Sequence, residues 1–194
     1  MTPLVFASTS RYKLAQFARL NLPFKAMAPP FDEEEVKGAP KQLAIDRALG
    51  KALSLSAERP NSVIVGSDQT LEIEGEVLGK PGTHDRALIQ LQRLRGKTHY
   101  LHSAYALVHG DRITTGCVTA AMTARHEIGD RFLSEMIAKD DTTDCCGAYK
   151  WESMGIFLFD RVEVSDHNAI VGLPLLSLIQ SLIGYGFFPF LSHK

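Results

Sequence analysis

Hydrophobic and polar positions change period several times along the chain, and each change predicts an element. "PLVFAS" (3–8) is a short apolar run that reads as a buried strand, with a helix over about 11–20 behind it. Residues 24–40, "FKAMAPPFDEEEVKGAP", are Pro-rich and acidic, a surface loop with room for one extended segment. From Lys41 to Ala57, Ile45, Ala48, Leu49, Ala52 and Leu53 recur at helical spacing. Lys51 falls roughly 110° from the middle of that stripe, at the helix edge. "SVIVGSD" (62–68) predicts a strand, and "TLEIEGEVL" a hairpin turning at Glu74-Gly75. "THDRALIQLQRLRG" predicts a helix with Ala87, Leu88, Leu91 and Leu94 on one face, Thr83 as N-cap, Asp85 in the first turn and Gly96 as the stop. Two long strands, "THYLHSAYALV" and "RITTGCVTAAMTARHEI", join at His109-Gly110-Asp111. A helix over about 130–139, a strand "GIFLFDRVEV" and a last helix opened by Pro174 complete the order. Strands alternate with helices but several are hairpin-linked, so the fold class is α/β with a mixed sheet flanked by helices.

No repeat or linker divides the chain, and 194 residues suit one domain, 1–194. With 21 basic and 22 acidic side chains and no long basic run, the chain lacks the cationic footprint of a nucleic-acid binder. "MTPLVFAS" has neither the charged region nor the long apolar stretch of a secretory leader. The longest apolar run, "AIVGLPLLSLIQSLIGYGFF", is interrupted by Pro174, Ser177, Gln180, Ser181 and Gly184, and reads as a core helix rather than a membrane span. Cys117, Cys145 and Cys146 form no C-x-x-C framework, and neighbouring cysteines are poorly placed to bridge each other. A reducing cytoplasmic setting is expected.

Three stretches carry the chemistry. Asp68 follows an apolar run, and a carboxylate there is desolvated unless something pairs with it. It suits a metal ligand or general base, and equally a cap for the next turn. The hairpin returns Lys80 in a Gly-Lys-Pro turn, and a phosphate chain with a divalent ion needs both signs of charge in one cleft. "ASTSRYKL" (7–14) puts hydroxyls and cations at a strand-to-helix junction, where Ser8 and Ser10 either donate to an anion or cap the helix, and Arg11 or Lys13 can neutralise charge. The acidic run 32–35 can supply one further carboxylate. His99 and His102 lie three apart in a strand and point to opposite faces. There is no G-x-S-x-G, Walker-type loop or HExxH.

Together these stretches resemble the Maf family of nucleoside triphosphate pyrophosphatases over nearly the whole chain. "LVFASTSRYKL" resembles its S-x-S-P-R-R opening, "IVGSDQ" its aspartate-bearing strand, "LGKPG" its G-K-P turn, "LRGKTH" its G-(R/K)-T-H element, "CCGAYKWESMGIFLF" its A-G-(A/S)-Y/F segment, and "NAIVGLPLLSL" its N-x-V-G-L-P-L close. The resemblance implies a Maf/ITPase-like mixed twisted sheet with a central cleft. It also implies hydrolysis of a nucleotide to monophosphate and pyrophosphate with Mg²⁺ or Mn²⁺, and a possible homodimer. It gives Asp68 the acid/base or metal role, Glu33 the loop carboxylate of the metal site, and Lys51 and Lys80 the phosphate-facing positions, with Ser8, Ser10 and Lys13 beside them.

Substrate choice follows the same resemblance. Pyrimidine-directed members carry Arg, Thr and Gln where this chain has Tyr12, Gln69 and Glu152, whereas members acting on 7-methyl-GTP carry an aromatic, Gln and Glu. A 7-methylguanine ring is cationic, so an aromatic face attracts it by about 0.5–2 kcal/mol. A glutamate accepts from its N1–H and 2-amino edge while offsetting the charge. The alternatives are a dTTP/UTP pyrophosphatase of the same family and a septum-formation regulator acting by binding. Two departures stand out. Arg11 replaces the family's Pro, and the expected arginine pair is Lys13 and Leu14, a point charge in place of a planar fork.

Overall fold

The computed structural model describes residues 2–188. Its seven strands form one mixed sheet in the order β2-β1-β3-β5-β6-β7, with β4 on the edge of β3. β1 (Leu4–Ala7) lies parallel to β2 (Lys25–Met27) and to β3 (Val63–Ile73); β3–β5 (Thr98–His109), β5–β6 (Arg112–Ala124), β6–β7 (Phe159–Glu163) and β3–β4 (Glu76–Leu78) are antiparallel. The helices are α1 (Arg11–Ala18), α2 (Pro40–Leu53), α3 (His84–Leu94), α4 (Asp130–Asp140), the four-residue α5 (Asn168–Val171) and α6 (Leu175–Gly184). Thr83 caps α3 through its side chain, as its position predicts. Among the described residues no helix is long and apolar enough to cross a membrane.

The alternation of β3 and β5 explains where the cores sit. Val63 and Val65, with Tyr105 and Leu107, join one cluster together with Phe6, Phe17 and α6. Farther along the same face, Leu71, Ile73 and Leu101 join a second cluster with α3 and α4. Between them that face carries Gln69 and Ser103, paired across the strands. On the opposite face Val5, Ala7, Ile64, Ala104 and Ala106 pack against Ala44, Ala48 and Ala52 of α2. Small residues there bring the helix close. A Cβ on Gly66 would overlap the Ala48 carbonyl oxygen and sit 2.8 Å from Ala52 N, so only glycine lets α2 rest directly on β3.

Several element boundaries differ from the pattern-based reading, among them the strand expected over 112–128, which ends at Ala124. The strand expected over 62–68 runs on unbroken to Ile73, because Leu71 and Ile73 continue its apolar alternation into the second core. What stops at Gly66 is its neighbour: the last β1–β3 pair is Ala7–Gly66, whereas β5 stays paired from Ile64 to Glu72. The expected strand "GIFLFDRVEV" is extended only over Phe159–Glu163, and Met154–Leu158 forms a 3-10 turn. α2 ends at Leu53 rather than near Ala57, and α5 has no sequence-level counterpart.

Candidate active site

β1 leaves the edge of β3 at Gly66 and β4 joins it only at Leu71, so residues 67–70 have no strand on that side. This gap is the floor of a cleft of about 930 Å³. The C-terminal end of β1 leads into Ser8 and Ser10 on one rim, and the end of β4 leads into Gly79 and Lys80 on the other. An unpaired strand edge must find other partners for its backbone. Ser67 O accepts from Lys13 Nζ at 3.2 Å and from Lys51 Nζ at 3.4 Å.

Asp68 is buried and Lys51 Nζ lies 2.7 Å from its Oδ1. The same ammonium lies 2.7 Å from Glu33 Oε1, so one lysine bridges a strand carboxylate and a loop carboxylate. The edge position that places Lys51 off the apolar stripe therefore aims it into the cleft. Phe31 holds the loop that carries Glu33: its ring packs where a Cβ on Gly50 would stand, a space the glycine of α2 leaves open. Burial opposes ionisation of Glu33, but Lys51, with Lys13 and Arg47 nearby, outweighs it and holds the carboxyl below its ordinary range. Burial, helped by Lys51 and Lys80 and opposed by Asp68 and Glu33, lowers Lys13 to about 8. Among the described residues Asp68 Oδ2 is buried without a hydrogen-bond partner.

Ser10 holds the N-cap position of α1, yet its side chain makes no capping bond. Ser8 Oγ instead accepts from Ser10 N at 3.2 Å. Both residues line the cleft, as does Lys80, which is exposed on its rim.

The far end of the cleft is built by α1 and residues 141–152. Tyr12 and Glu152 line it together, with Trp151 and Tyr149. Arg11 Nη2 donates to Tyr12 Oη at 2.7 Å and to Asp144 Oδ2 at 3.3 Å, and Tyr12 Oη donates to Asp144 Oδ1 at 3.4 Å. Cys145 Sγ donates to Tyr12 Oη at 3.7 Å. Burial and this thiol contact push the Tyr12 phenol well above its ordinary range, so it stays a neutral donor. Gln69 uses its amide nitrogen on Ser103 Oγ at 2.9 Å, Ala169 O at 3.0 Å and Ile170 O at 3.2 Å. It anchors α5 and leaves its carbonyl as the group available to a ligand.

The structure thus brings every side chain singled out in the sequence, Ser8, Ser10, Tyr12, Lys13, Glu33, Lys51, Asp68, Gln69, Lys80 and Glu152, onto one cleft. Two residues of the cleft wall, Asp144 and Arg47, carry no such signal in the motifs. Arg47 stands one turn before Lys51 on the same helix face, a spacing that could have marked it.

Lysines grouped around two carboxylates in one cleft suit an anionic, phosphate-bearing ligand, and sequence comparison supplies the family. A family model described as Maf-like protein matches residues 3–184, and the chain belongs to the Maf family. A protein of Bordetella pertussis named 7-methyl-GTP pyrophosphatase is 38% identical over 191 residues, covering 98% of this chain and 96% of that one. One of the same name from Xanthomonas axonopodis pv. citri is 38% identical over 192 residues, covering 96% and 98%. The Ham1 protein of Staphylococcus aureus shares the fold, with a TM-score of 0.55 at 16% identity, covering 95% of this chain and 100% of that structure.

Proposed function

We propose that the protein hydrolyses nucleoside triphosphates at the α–β bond, releasing pyrophosphate, and that its preferred substrate is 7-methyl-GTP, cleared from the cytoplasm as a modified nucleotide. The observation that carries this is the joining in one cleft of a Lys51 ammonium 2.7 Å from both Asp68 and Glu33 with a wall holding Tyr12 and Glu152. The names of the relatives point the same way.

The residues fit a hard divalent cation. Asp68 Oδ2 is a buried oxygen with no partner, and Glu33 supplies a second carboxylate across Lys51. Among the described residues no group of three or more His, Cys, Asp or Glu forms a ready nest. That donor set suits Mg²⁺ or Mn²⁺ arriving with the substrate, since Mg²⁺ takes one or two carboxylates and completes its shell with phosphate oxygens and water. Bound there by Asp68 and Glu33, it would screen phosphate charge and lower the pKa of water.

Asp68 orients the attacking water and accepts its proton as the water oxygen bonds to the α-phosphorus. The bond from the α-phosphorus to the bridging oxygen breaks, and pyrophosphate leaves with that oxygen. Lys13, Lys51 and Lys80 meet the charge that gathers on the phosphate oxygens. Ser8 and Ser10 offer hydroxyl donors beside them. At the other end the Tyr12 face attracts the cationic ring, and Glu152 accepts from its N1–H and 2-amino edge.

Pyrophosphate release from 7-methyl-GTP, GTP, UTP and dTTP, measured side by side, tests the reading. A higher kcat/KM for 7-methyl-GTP than for the other three is expected. Preference for UTP or dTTP would transfer the protein to pyrimidine nucleotides and strip Tyr12 and Glu152 of their part in recognising a cationic base.

A further inference from the structure

The cations of the cleft are not equally free. Arg11 is bonded to Tyr12 and Asp144, Lys13 to Ser67 O, Lys51 to Asp68 and Glu33, and Lys150 to the Asp140 carbonyl. Arg47 lines the same cleft from α2, half-buried, and its Nε is buried without a partner. No hydrogen bond or ion pair fixes its guanidinium among the described residues. It does feel Glu33, whose carboxyl it helps hold down, but Glu33 accepts its hydrogen bond from Lys51. A desolvated N–H donor left unpaired costs stability, and arginine carries five donors in a planar fork suited to phosphate. Among the described residues Lys80 on the rim is likewise unpaired, but Arg47 is the guanidinium left with nothing to bind, a planar anion donor already in place on the wall.

Its place along the cleft says which phosphate it meets. Lys51 touches Asp68 and so marks the phosphorus under attack. Arg47 precedes it by one turn, about 5.4 Å along the axis, beside the loop that carries Glu33. The base end is built from residues 141–152 and from Tyr12 of α1, a helix whose Lys13 reaches back to Ser67 beside Lys51. We propose that Arg47 grips the terminal two phosphates of the bound triphosphate and stays with pyrophosphate as it departs. This inference rests on the cleft being the triphosphate site. It also accounts for the missing arginine pair near the chain start: the planar fork sits on α2, where Lys13 and Leu14 of α1 provide none.

The test uses the full chain, inorganic tripolyphosphate and pyrophosphate as probes in titration calorimetry with Mg²⁺ present, and 7-methyl-GMP as the monophosphate control. Arg47→Gln should weaken tripolyphosphate and pyrophosphate by about ten- to a hundredfold, the loss of a charge-assisted fork. It should leave 7-methyl-GMP affinity unchanged and raise the KM for 7-methyl-GTP far more than it lowers kcat. Arg47→Lys should recover only part of the loss, and it serves in place of Arg47→Gln if that variant does not fold. Unchanged pyrophosphate affinity, or an equal loss for 7-methyl-GMP, overturns the assignment. The two readings fail separately. A parent protein that binds tripolyphosphate through Arg47 yet hydrolyses no nucleotide sinks the hydrolase and keeps the grip; active hydrolysis with Arg47-independent pyrophosphate affinity sinks the grip alone.

Discussion

The two ends of the cleft are each held by an ion pair between distant segments, and the pairs differ chiefly in burial. At the α2 end the Lys51–Asp68 pair, at 2.7 Å, has side chains only 10% and 7% exposed. At the Tyr12 end the Arg11–Asp144 pair, at 3.3 Å, is 65% and 50% exposed. A buried charge that loses its partner is costly, whereas an exposed one is taken over by water. The first pair is therefore bound to the fold's stability, and the second is an adjustment of the rim. On the proposed function, this separation would let one end perform chemistry common to any nucleotide while the other selects the base.

Asp68→Asn should give the largest effect. It removes the proton acceptor while keeping the side chain's shape, and Lys51 retains Glu33 as a counter-charge. A drop in kcat of roughly a thousandfold is expected from loss of a general base, measured as pyrophosphate release from 7-methyl-GTP, with a melting temperature near the parent's. Hydrolysis near the parent rate would remove Asp68 from the reaction.

Lys51→Met comes next and strikes the fold as well. It leaves Asp68 buried without its partner, at a cost of about 3–5 kcal/mol in urea unfolding. Combining it with Asp68→Asn should restore most of that stability, because the buried carboxylate is gone and Glu33, its side chain 47% exposed, is met by water, without restoring activity. Additive losses in the double variant would mean that the pair is not coupled as its distance implies.

How far these residues could be read beforehand depends on what signals them. Helices α2 and α3 show in the apolar period, since each buries one regular face, and the β5–β6 hairpin shows as two long strands about a His109-Gly110-Asp111 turn, with β5 buried on both faces. The gap that makes the cleft does not. The switch from "VIVG" to "SDQ" looks like the end of a strand, but it records the departure of β1 from an edge, a fact of pairing between segments far apart in the chain. Asp68 stood out because a carboxylate after an apolar run is costly, although a turn cap fitted equally well, and Lys51 came to the site through the family resemblance, its place at the margin of the stripe being compatible with that. Asp144 was not legible, since nothing local separates an aspartate facing a cleft from one facing water, and Arg47 had only its one-turn spacing from Lys51 to mark it. α5 was hidden for another reason. Four residues carry no helical period, and the segment is held by the Gln69 amide rather than by propensity.

A pH series separates the lysines of the α2 end. Burial lowers Lys13 from its ordinary 10.5 to about 8, so the free enzyme loses this charge as pH rises through 8. kcat/KM should fall above that point with a limiting slope of about tenfold per pH unit, and Lys13→Arg should abolish the fall. The stability contribution has the opposite sign. Between about 8 and 10.5 the unfolded chain binds more protons at this residue, so stability rises with pH across that window and the penalty is full below it. An activity limb that persists in Lys13→Arg assigns the titration elsewhere.

Asp144→Asn should have the smallest effect and the most selective one. Arg11 stands with its guanidinium carbon 4.8 Å from the centroid of the Tyr12 ring, the surface proposed to receive the base. That cation repels a cationic base and leaves a neutral one nearly indifferent, and Asp144 offsets it from 3.3 Å. Removing the offset should lower kcat/KM for 7-methyl-GTP about two- to fivefold, the scale of an exposed pair, while GTP changes little. Because both partners are solvent-exposed, the difference between the two nucleotides should shrink as salt is raised from about 0.05 to about 0.5 M, where screening acts within a few ångströms. Arg11→Gln in the same background should recover part of the preference, since the nearer of two cations over the ring is gone and Lys150, 5.8 Å from its centroid, remains. Equal losses for both nucleotides would instead make Asp144 a support for the Tyr12 hydroxyl, acting through the ring's position and blind to the charge of the base.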